Sequence, residues 1–498
     1  MTRAFPPVGA SLLLFLYAFP ASAQDTTVAP TAPLPQPPPV QFERTTEVGG
    51  LLPDSARQYG AIRAARLMQF VEELVDISRR YRDSGHPRFW GRILGTESDA
   101  WNAEWLMDRY RELGLANVRS QPLDMSPQWM PRQWTVTASG GGRTVEMASA
   151  QPTYASPGTT GEGLDLEAVW VGLASDAELA LAPDVRGKAV FFYSDELNSR
   201  FASISDEAFR RISERGAAAV FGIIGIPGNA RVQMYPVNSA APSFVVGRED
   251  GLAVRDLIGA GGVRVRVRLD VEMVPDLQTA TVWGTLPGAT DETIYIVAHR
   301  DGWFDGAVDN ASGMATLLGL AEYYSQVPQA RRRRTIHFIG SSGHHTVGTG
   351  VSGEWFAARP DLFRRTALIM NCEHTGPRQT FHGSLRLGNA PILMRWFAHD
   401  ELMAGIVRDA LDTFGIGTFP ESDPRGIGEA GRYYHYAPMA QLLGDGGRGG
   451  WYAFHTDLET PETVSPGGLE ANTRAYARII DEVNKLDLDV LRASIDAP

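Results

Sequence analysis

Apolar residues recur at helical spacing along Ala61–Tyr81, through Met68, Phe70, Val71, Leu74 and Ile77, and predict an amphipathic helix there. A second such helix is expected over Trp101–Leu113, ended by Gly114 and approached through Glu97-Ser98-Asp99, which offers capping side chains. From about Gly163 to Val274 the texture changes to short strands and short helices. The predicted strands are Ala168–Val171, Ala189–Tyr193, Ala217–Ile224, Ser243–Val246 and Val263–Val271, with Arg186-Gly187-Lys188 as a turn. From Gln278 onward, strands are predicted at Thr293–Ala298, Thr335–Gly340 and Thr366–Cys372. Helices are predicted at Gly313–Tyr324 and Gly353–Ala358. This alternation implies an α/β fold with parallel strands in a mixed sheet flanked by helices.

A chain of 498 residues is long enough for more than one domain. Residues 1–23 read as a secretory signal: Arg3 gives a positive start, Ser11–Tyr17 a short apolar run, and Ala21-Ser22-Ala23 a small-residue cleavage site. An exported protein, periplasmic or secreted, is therefore expected, with a mature chain from Gln24. Residues 24–56 are Pro-rich and read as an extended tether. The expected folded parts are a discontinuous domain, 57–162 and 275–498, and an inserted module, 163–274, which has no histidine and no catalytic cluster. No later stretch approaches the length of a membrane span.

The balance of 46 Lys+Arg against 58 Asp+Glu, net −12, argues against a nucleic-acid partner, which would need a basic face. Lys188 and Lys485 are the only lysines, a compositional bias toward arginine. The single cysteine, Cys372, cannot form an internal disulfide and sits in an apolar run, so it reads as buried packing. The Arg331–Arg334 run reads as a solvated turn, and Glu354 as a solvated or capping residue. His337, inside a strand, reads as a core or face histidine; His382, His399 and His435 have no ligand context.

The histidines carry the chemistry. Nine of ten lie from position 299 onward, and several follow predicted strands directly: His299 after IYIVA, His344-His345 after TIHFIGSSG, and Glu373-His374 at the end of ALIMNC. Open α/β sheets gather reacting groups at the carboxyl ends of their strands, so these residues are expected to converge. Asp309 precedes a predicted helix and can bridge two cations, Asp301 is placed to orient the His299 imidazole, and His455 lies in a loop before the final helix.

The stretch VAHRDGWFDGAVDNASGMATLL resembles the His-x-Asp and Asp-Asn-x-Ser-Gly signatures of the co-catalytic zinc exopeptidases, the family of aminopeptidase Y and glutamate carboxypeptidase. FHTDLET resembles that family's closing His-Thr segment, and GRILGTESDAWNAEWLMDRYRELGL its N-terminal Gly-Arg-x-x-Gly-Thr region. Residues from about Leu164 to Val274 resemble its inserted, β-rich protease-associated domain. The resemblance implies Zn2+, two ions or one, or another divalent metal. It implies the ligands His299, Asp309, His345, Glu373 and His455, and a peptide or small amide as substrate. Glu373 stands where the family usually has Asp. His344-His345 replaces a Glu-Glu pair, general base and ligand in the family, which makes His344 the expected base and His345 the expected ligand. The ligand set then carries two formal negative charges instead of three, so two divalent cations are less well neutralised. Arg432, Tyr433 and Tyr434 occupy a segment that often lines the family's substrate pocket. Three functions fit: an aminopeptidase-like metallo-hydrolase, an impaired pseudopeptidase that binds rather than cleaves, and a hydrolase retuned to a non-peptide amide or ester.

Overall fold

The computed structural model describes residues 52–193, 206–346, 351–378, 394–419, 422, 425–444 and 453–495. The expected signal segment, most of the tether and His382 lie outside them. The strands that carry the site are β1 (Ala116–Asp124), β2 (Gln278–Leu286), β3 (Thr293–His299), β4 (Thr335–Ser341), β5 (Thr366–Glu373), β6 (Met394–Ala398) and β7 (Met439–Gly444). They form one sheet in the order β6-β7-β5-β3-β4-β2-β1. The inner four, β7, β5, β3 and β4, are parallel; the outer strands pair antiparallel.

Strands covered on both faces need apolar side chains pointing both ways, which explains the unbroken runs IYIVA and ALIM. Alternate residues feed two cores. Ile294, Ile296, Leu368, Met370 and Cys372 pack into the larger one, and Tyr295, Val297 and Ile369 into an aromatic one on the opposite face. Burial pushes the Cys372 thiol up, in keeping with a packing role.

The larger core is covered by α1 (Ala64–Asp83), α2 (Glu97–Glu112), α3 (Gly313–Ser325), α4 (Glu401–Thr413) and α5 (Pro466–Val483). Helix α1 buries Leu67, Phe70, Val71, Leu74, Val75 and Ser78, a stripe at helical spacing. Helix α2 starts earlier than expected, and Ser98 and Asp99 do not cap it. They accept hydrogen bonds from the approaching loop, at Ile93 N and Gly95 N, and Asp99 pairs with buried Arg300 at 2.5 Å. The Arg331–Arg334 run is not a solvated turn throughout. Arg334 is fully buried, paired with Glu292 and donating to the carbonyls of Val483 and Leu486. These carbonyls lie at and just past the end of α5, where a cation is favoured.

A second sheet has the order 143–146, 128–140, 264–274, 164–170, 189–193, 219–223, 243–246 and 151–152. Its strands at 128–140 and 143–146 lie before the expected boundary at 163. They belong here because 128–140 pairs along its length with 264–274. The segment is also less purely β-rich than expected: strands 164–170, 189–193, 219–223 and 243–246 are parallel, and helices Asp176–Leu181, Asp206–Glu214 and Arg248–Ala260 accompany them. The described residues pack as one unit. The two parts are stitched beside His455, where Arg231 pairs with Asp457 at 2.9 Å and Gln233 N donates to the His455 carbonyl. Among the described residues no helix is long and apolar enough to cross a membrane.

His337 projects from β4 into the aromatic core, against Trp283 and Tyr295, with Nδ1 3.1 Å from Thr285 Oγ1. Burial, with Arg119 nearby, pushes its pKa down to about 4. The unfolded chain therefore takes up this proton first as pH falls, so stability drops between roughly pH 6.5 and 4. After allowance for its partial exposure, the loss should be on the order of 1–3 kcal/mol. Urea midpoints measured across this range should fall less steeply for His337→Phe; equal slopes would refute the assignment.

Candidate metal centre

Parallel strands deliver the chemistry at their carboxyl ends. His299 is the last residue of β3, His344-His345 come after β4 with two residues between, Glu373 ends β5, and His455 lies ahead of α5. Asp309 comes from the turn before α3 and sits among them, buried like its neighbours. Its Oδ1 lies 3.1 Å from His299 Nε2 and 3.3 Å from His374 Nε2. Its Oδ2 lies 2.9 Å from His455 Nε2 and 3.2 Å from His345 Nε2. One carboxylate thus touches four imidazoles. His374 and His455 both adopt left-handed backbone conformations, with φ of 46° and 58°. Such strain in non-glycine residues gathers at functional sites.

Two groups of donor atoms are tight enough to share a cation: His299 with Asp309 and His345, and His299 with His344 and Glu373. In each, the ligand atoms lie within 4.8 Å of one another. Buried His299 Nε2 and Asp309 Oδ1 face each other without a hydrogen bond, an arrangement that a cation between them would satisfy. Nitrogen and carboxylate donors of this kind suit zinc. The residues present therefore fit the metal that the sequence resemblance implies.

The electrostatics agree. Burial works against ionisation of Asp309, but His345, His374 and His299 outweigh it and hold the carboxyl well below its ordinary range. Burial also opposes protonation of His299 and His345. Asp301 and Asp309 overcome it, raising His299 well above the usual imidazole value and His345 above it. His455 goes the other way, pushed down to about 3 by burial despite Asp309. Protons on His299 and His345 thus supply the positive charge that Asp309 requires, and metal binding must expel them.

The supporting groups differ in part from expectation. Asp301 makes its nearer contacts with His345: its Oδ2 accepts from the His345 backbone N–H at 2.7 Å and lies 3.1 Å from Nδ1. Its carboxylate is 3.7 Å from His299 Nδ1, which is closer to the Asp301 carbonyl at 3.2 Å. Tyr433 does not line an open pocket; it is buried in the aromatic core, stacked on Phe363 at 5.5 Å. Arg432 pairs with Glu354 at 3.4 Å, and Tyr434 packs against His435.

Sequence reasoning missed several groups. Glu459 accepts from Val308 N and Asp309 N with one oxygen and from His455 N with the other, so it braces two site residues at once. Its position within FHTDLET was the available signal. Glu429 faces His344 at 3.3 Å, and His374 joins the ring around Asp309. Trp303 packs on His345 and His455 at 4.5 and 4.7 Å. Tyr235, from the segment with the second sheet, stands 5.1 Å from the His455 ring and stacks beside His345. Nothing local in the sequence marks Tyr235 or Glu429. A small cavity of about 10 Å³, room for a water, lies against His345, with Phe89, Trp129, Tyr154 and Trp303 among its walls.

Comparison with known proteins bears on the fold. Residues 281–480 match peptidase family M28. No curated protein matches the chain. Among solved structures, a zinc aminopeptidase from Bacillus subtilis superposes with a TM-score of 0.61 at 18% identity, covering 84% of this chain and 95% of its own. A peptidase M28 precursor from Shewanella amazonensis gives 0.63 at 18%, covering 84% and 96%. An aminopeptidase from an Aneurinibacillus species gives 0.56 at 18%, covering 86% and 96%. At such identity these likenesses establish the fold. Over residues 281–480 the chain thus matches peptidase family M28 in sequence, and over most of its length it shares the fold of known zinc aminopeptidases.

Proposed function

We propose that this protein is an exported, aminopeptidase-like metalloexopeptidase that works with an atypical His-His pair. One observation carries the reading: Asp309 lies within 3.3 Å of four imidazoles at the carboxyl ends of parallel strands. His299, Asp309, His345, Glu373 and His455 would hold the metal, two zinc ions in this reading, with His345 replacing the family's glutamate. When bound, the metal polarises the scissile carbonyl and acidifies water. The residues do the rest. Asn371 and Gln441 direct hydrogen bonds onto Glu373 Oε2 at 2.8 and 3.4 Å and fix its carboxylate. His344 Nε2 accepts the proton that the attacking water loses as its oxygen bonds to the carbonyl carbon, and passes it to the departing amine. The segment with the second sheet, of protease-associated type in this reading, contributes Tyr235 to the wall over the site.

Export rests on Arg3, the apolar run Ser11–Tyr17 and Ala21-Ser22-Ala23. The function is tested by elemental analysis of the purified protein before and after His345→Ala, alongside turnover of aminoacyl and N-acyl amides with and without a chelator. Metal that falls on mutation, with chelator-sensitive release of free N-terminal residues, is the expected result. A metal-free protein under zinc-replete conditions would overturn it. Metal retained without turnover would favour the pseudopeptidase, and turnover confined to non-peptide amides or esters the retuned hydrolase.

A further inference from the structure

Position 344 has lost the carboxylate that the resemblance leads one to expect there, yet a carboxylate still reaches the same place from elsewhere in the chain. Glu429 lies in the loop GIGEAG, between α4 and β7. That loop is pinned to the sheet. Asn371 of β5 donates to the Ile427 carbonyl at 3.2 Å, and Gln441 of β7 accepts from Ile427 N at 3.0 Å. These are the same two side chains that hold Glu373. Gly428 has a φ of +66°, and a Cβ there would sit 2.2 Å from Glu373 Oε2. Only glycine lets the backbone pass so close to the site, and the next residue is Glu429.

Glu429 is 4% exposed, and its Oε1 lies 3.3 Å from His344 Nδ1. Among the described residues its Oε2 is buried without a hydrogen-bond partner. His344 is stacked on His299 with ring centroids 4.0 Å apart and planes 6° from parallel. Its Nε2 is turned toward Glu373, 3.9 Å from Oε1. The imidazole is thus held edge-on between a carboxylate at Nδ1 and the donor cluster at Nε2. A hydrogen bond from Nδ1–H fixes which ring nitrogen keeps its lone pair.

We propose that Glu429 is the positioning residue of His344: by accepting the Nδ1–H bond it locks the tautomer whose bare Nε2 faces Glu373 and the donor cluster. This rests on the reading of His344 as proton acceptor. In the reaction His344 Nε2 gains one proton from water, the ring becomes an imidazolium, and Nδ1–H stays donated to Glu429, whose charge stabilises the cation. The proton leaves again to the amine, so Glu429 ends unchanged. Glu429 also returns to the site one of the two negative charges that the exchange of Glu-Glu for His344-His345 removed, although from a separate loop.

The test uses the metal-loaded full chain with ring-¹⁵N histidine. The His344 signals are assigned by their loss in His344→Gln. Wild type should show His344 protonated at Nδ1. Glu429→Ala should shift it toward the Nε2–H form and lower kcat about 10- to 100-fold with KM within about 2-fold. Glu429→Gln, which keeps an oxygen acceptor and nearly the same shape, should keep the tautomer and recover part of kcat. Elemental analysis of each variant checks that metal content is unchanged. If His344→Gln turns over like wild type, both the base reading and this proposal fail. If His344→Gln is inactive but Glu429→Ala keeps the wild-type tautomer and kcat, the positioning role fails and the base reading stands.

Discussion

Asp309→Asn should empty the site of metal and lower kcat/KM by at least about a thousandfold, some 4 kcal/mol of transition-state stabilisation. The reason is the number of groups that meet at this one carboxylate. Its two oxygens reach four imidazoles from four different chain segments, at 2.9 to 3.3 Å. An asparagine keeps one oxygen but turns an NH2 toward two of those rings, which then cannot share a cation with it. It also removes a negative charge from a buried place where the proposed ligands carry only Asp309 and Glu373 as anions. His299 and His345 hold raised pKa values partly through Asp309. Without it, Asp301 is left as their nearest anion. Glu459 still receives the backbone N–H of residue 309, so the loop should keep its path and the loss be chemical rather than structural. Elemental analysis with kcat/KM decides the matter: a variant that retains its metal, or works within tenfold of wild type, would refute the central role of Asp309.

How much of this was readable beforehand follows from where the information lies. Strands buried on both faces announce themselves, because their apolar runs are continuous. The expected Thr293–Ala298 and Thr366–Cys372 are each one residue short of the observed strands. Their ends place His299 and Glu373 with no further knowledge. Asp309 and His455 were reachable through motif context. The edge strand 116–124 was not foreseen: it is largely exposed, contains Pro122, and owes its existence to pairing with β2. The early start of the second sheet was hidden for a related reason, since 128–140 is defined by a partner more than a hundred residues away. Arg432 and Tyr433 were expected in a pocket because the matching segment often lines the substrate pocket in the family that the sequence resembles. In the fold, Tyr433 fills a core and Arg432 answers Glu354. Glu429 and Tyr235 illustrate the remaining limit. Each reaches the site only because a distant loop is pinned there, and no spacing rule connects residue 235 to 455 or 429 to 344.

The same logic makes the short GRILG segment more consequential than its exposure or length suggests, and Arg92→Met should destabilise the fold by roughly 3–5 kcal/mol while releasing metal. Arg92 is 1% exposed and sits beneath the loop between His299 and Asp309. Its guanidinium donates to the carbonyls of Arg300, Asp305 and Gly306 and to Ser78 Oγ, at 2.8 to 3.0 Å. It therefore sets the curvature of the loop that carries Asp301 and Asp309, as well as tying that loop to α1. Gly302 and Gly306 record how closely the two pack: a Cβ at either would meet Arg92 Nη2 at 2.5 or 2.8 Å. Burial lowers the Arg92 pKa, with Asp309, Asp301 and Glu459 opposing that shift, so its charge also answers the buried acids around the metal. Methionine fills much of the volume but leaves three carbonyls without their donor in a dry place, each a penalty on the order of 1–3 kcal/mol before relaxation. Arg92→Lys should recover little, since an ammonium cannot reproduce the planar fork that spans Arg300 and Gly306 at once. Urea midpoints and metal content of the two variants are the measurements. If Arg92→Met unfolds at the wild-type midpoint with its metal in place, the loop holds its shape unaided and Arg92 is a passenger. If both variants lose stability and metal together, the geometry around Asp309 is set from beneath its loop, by a residue outside the proposed ligand set.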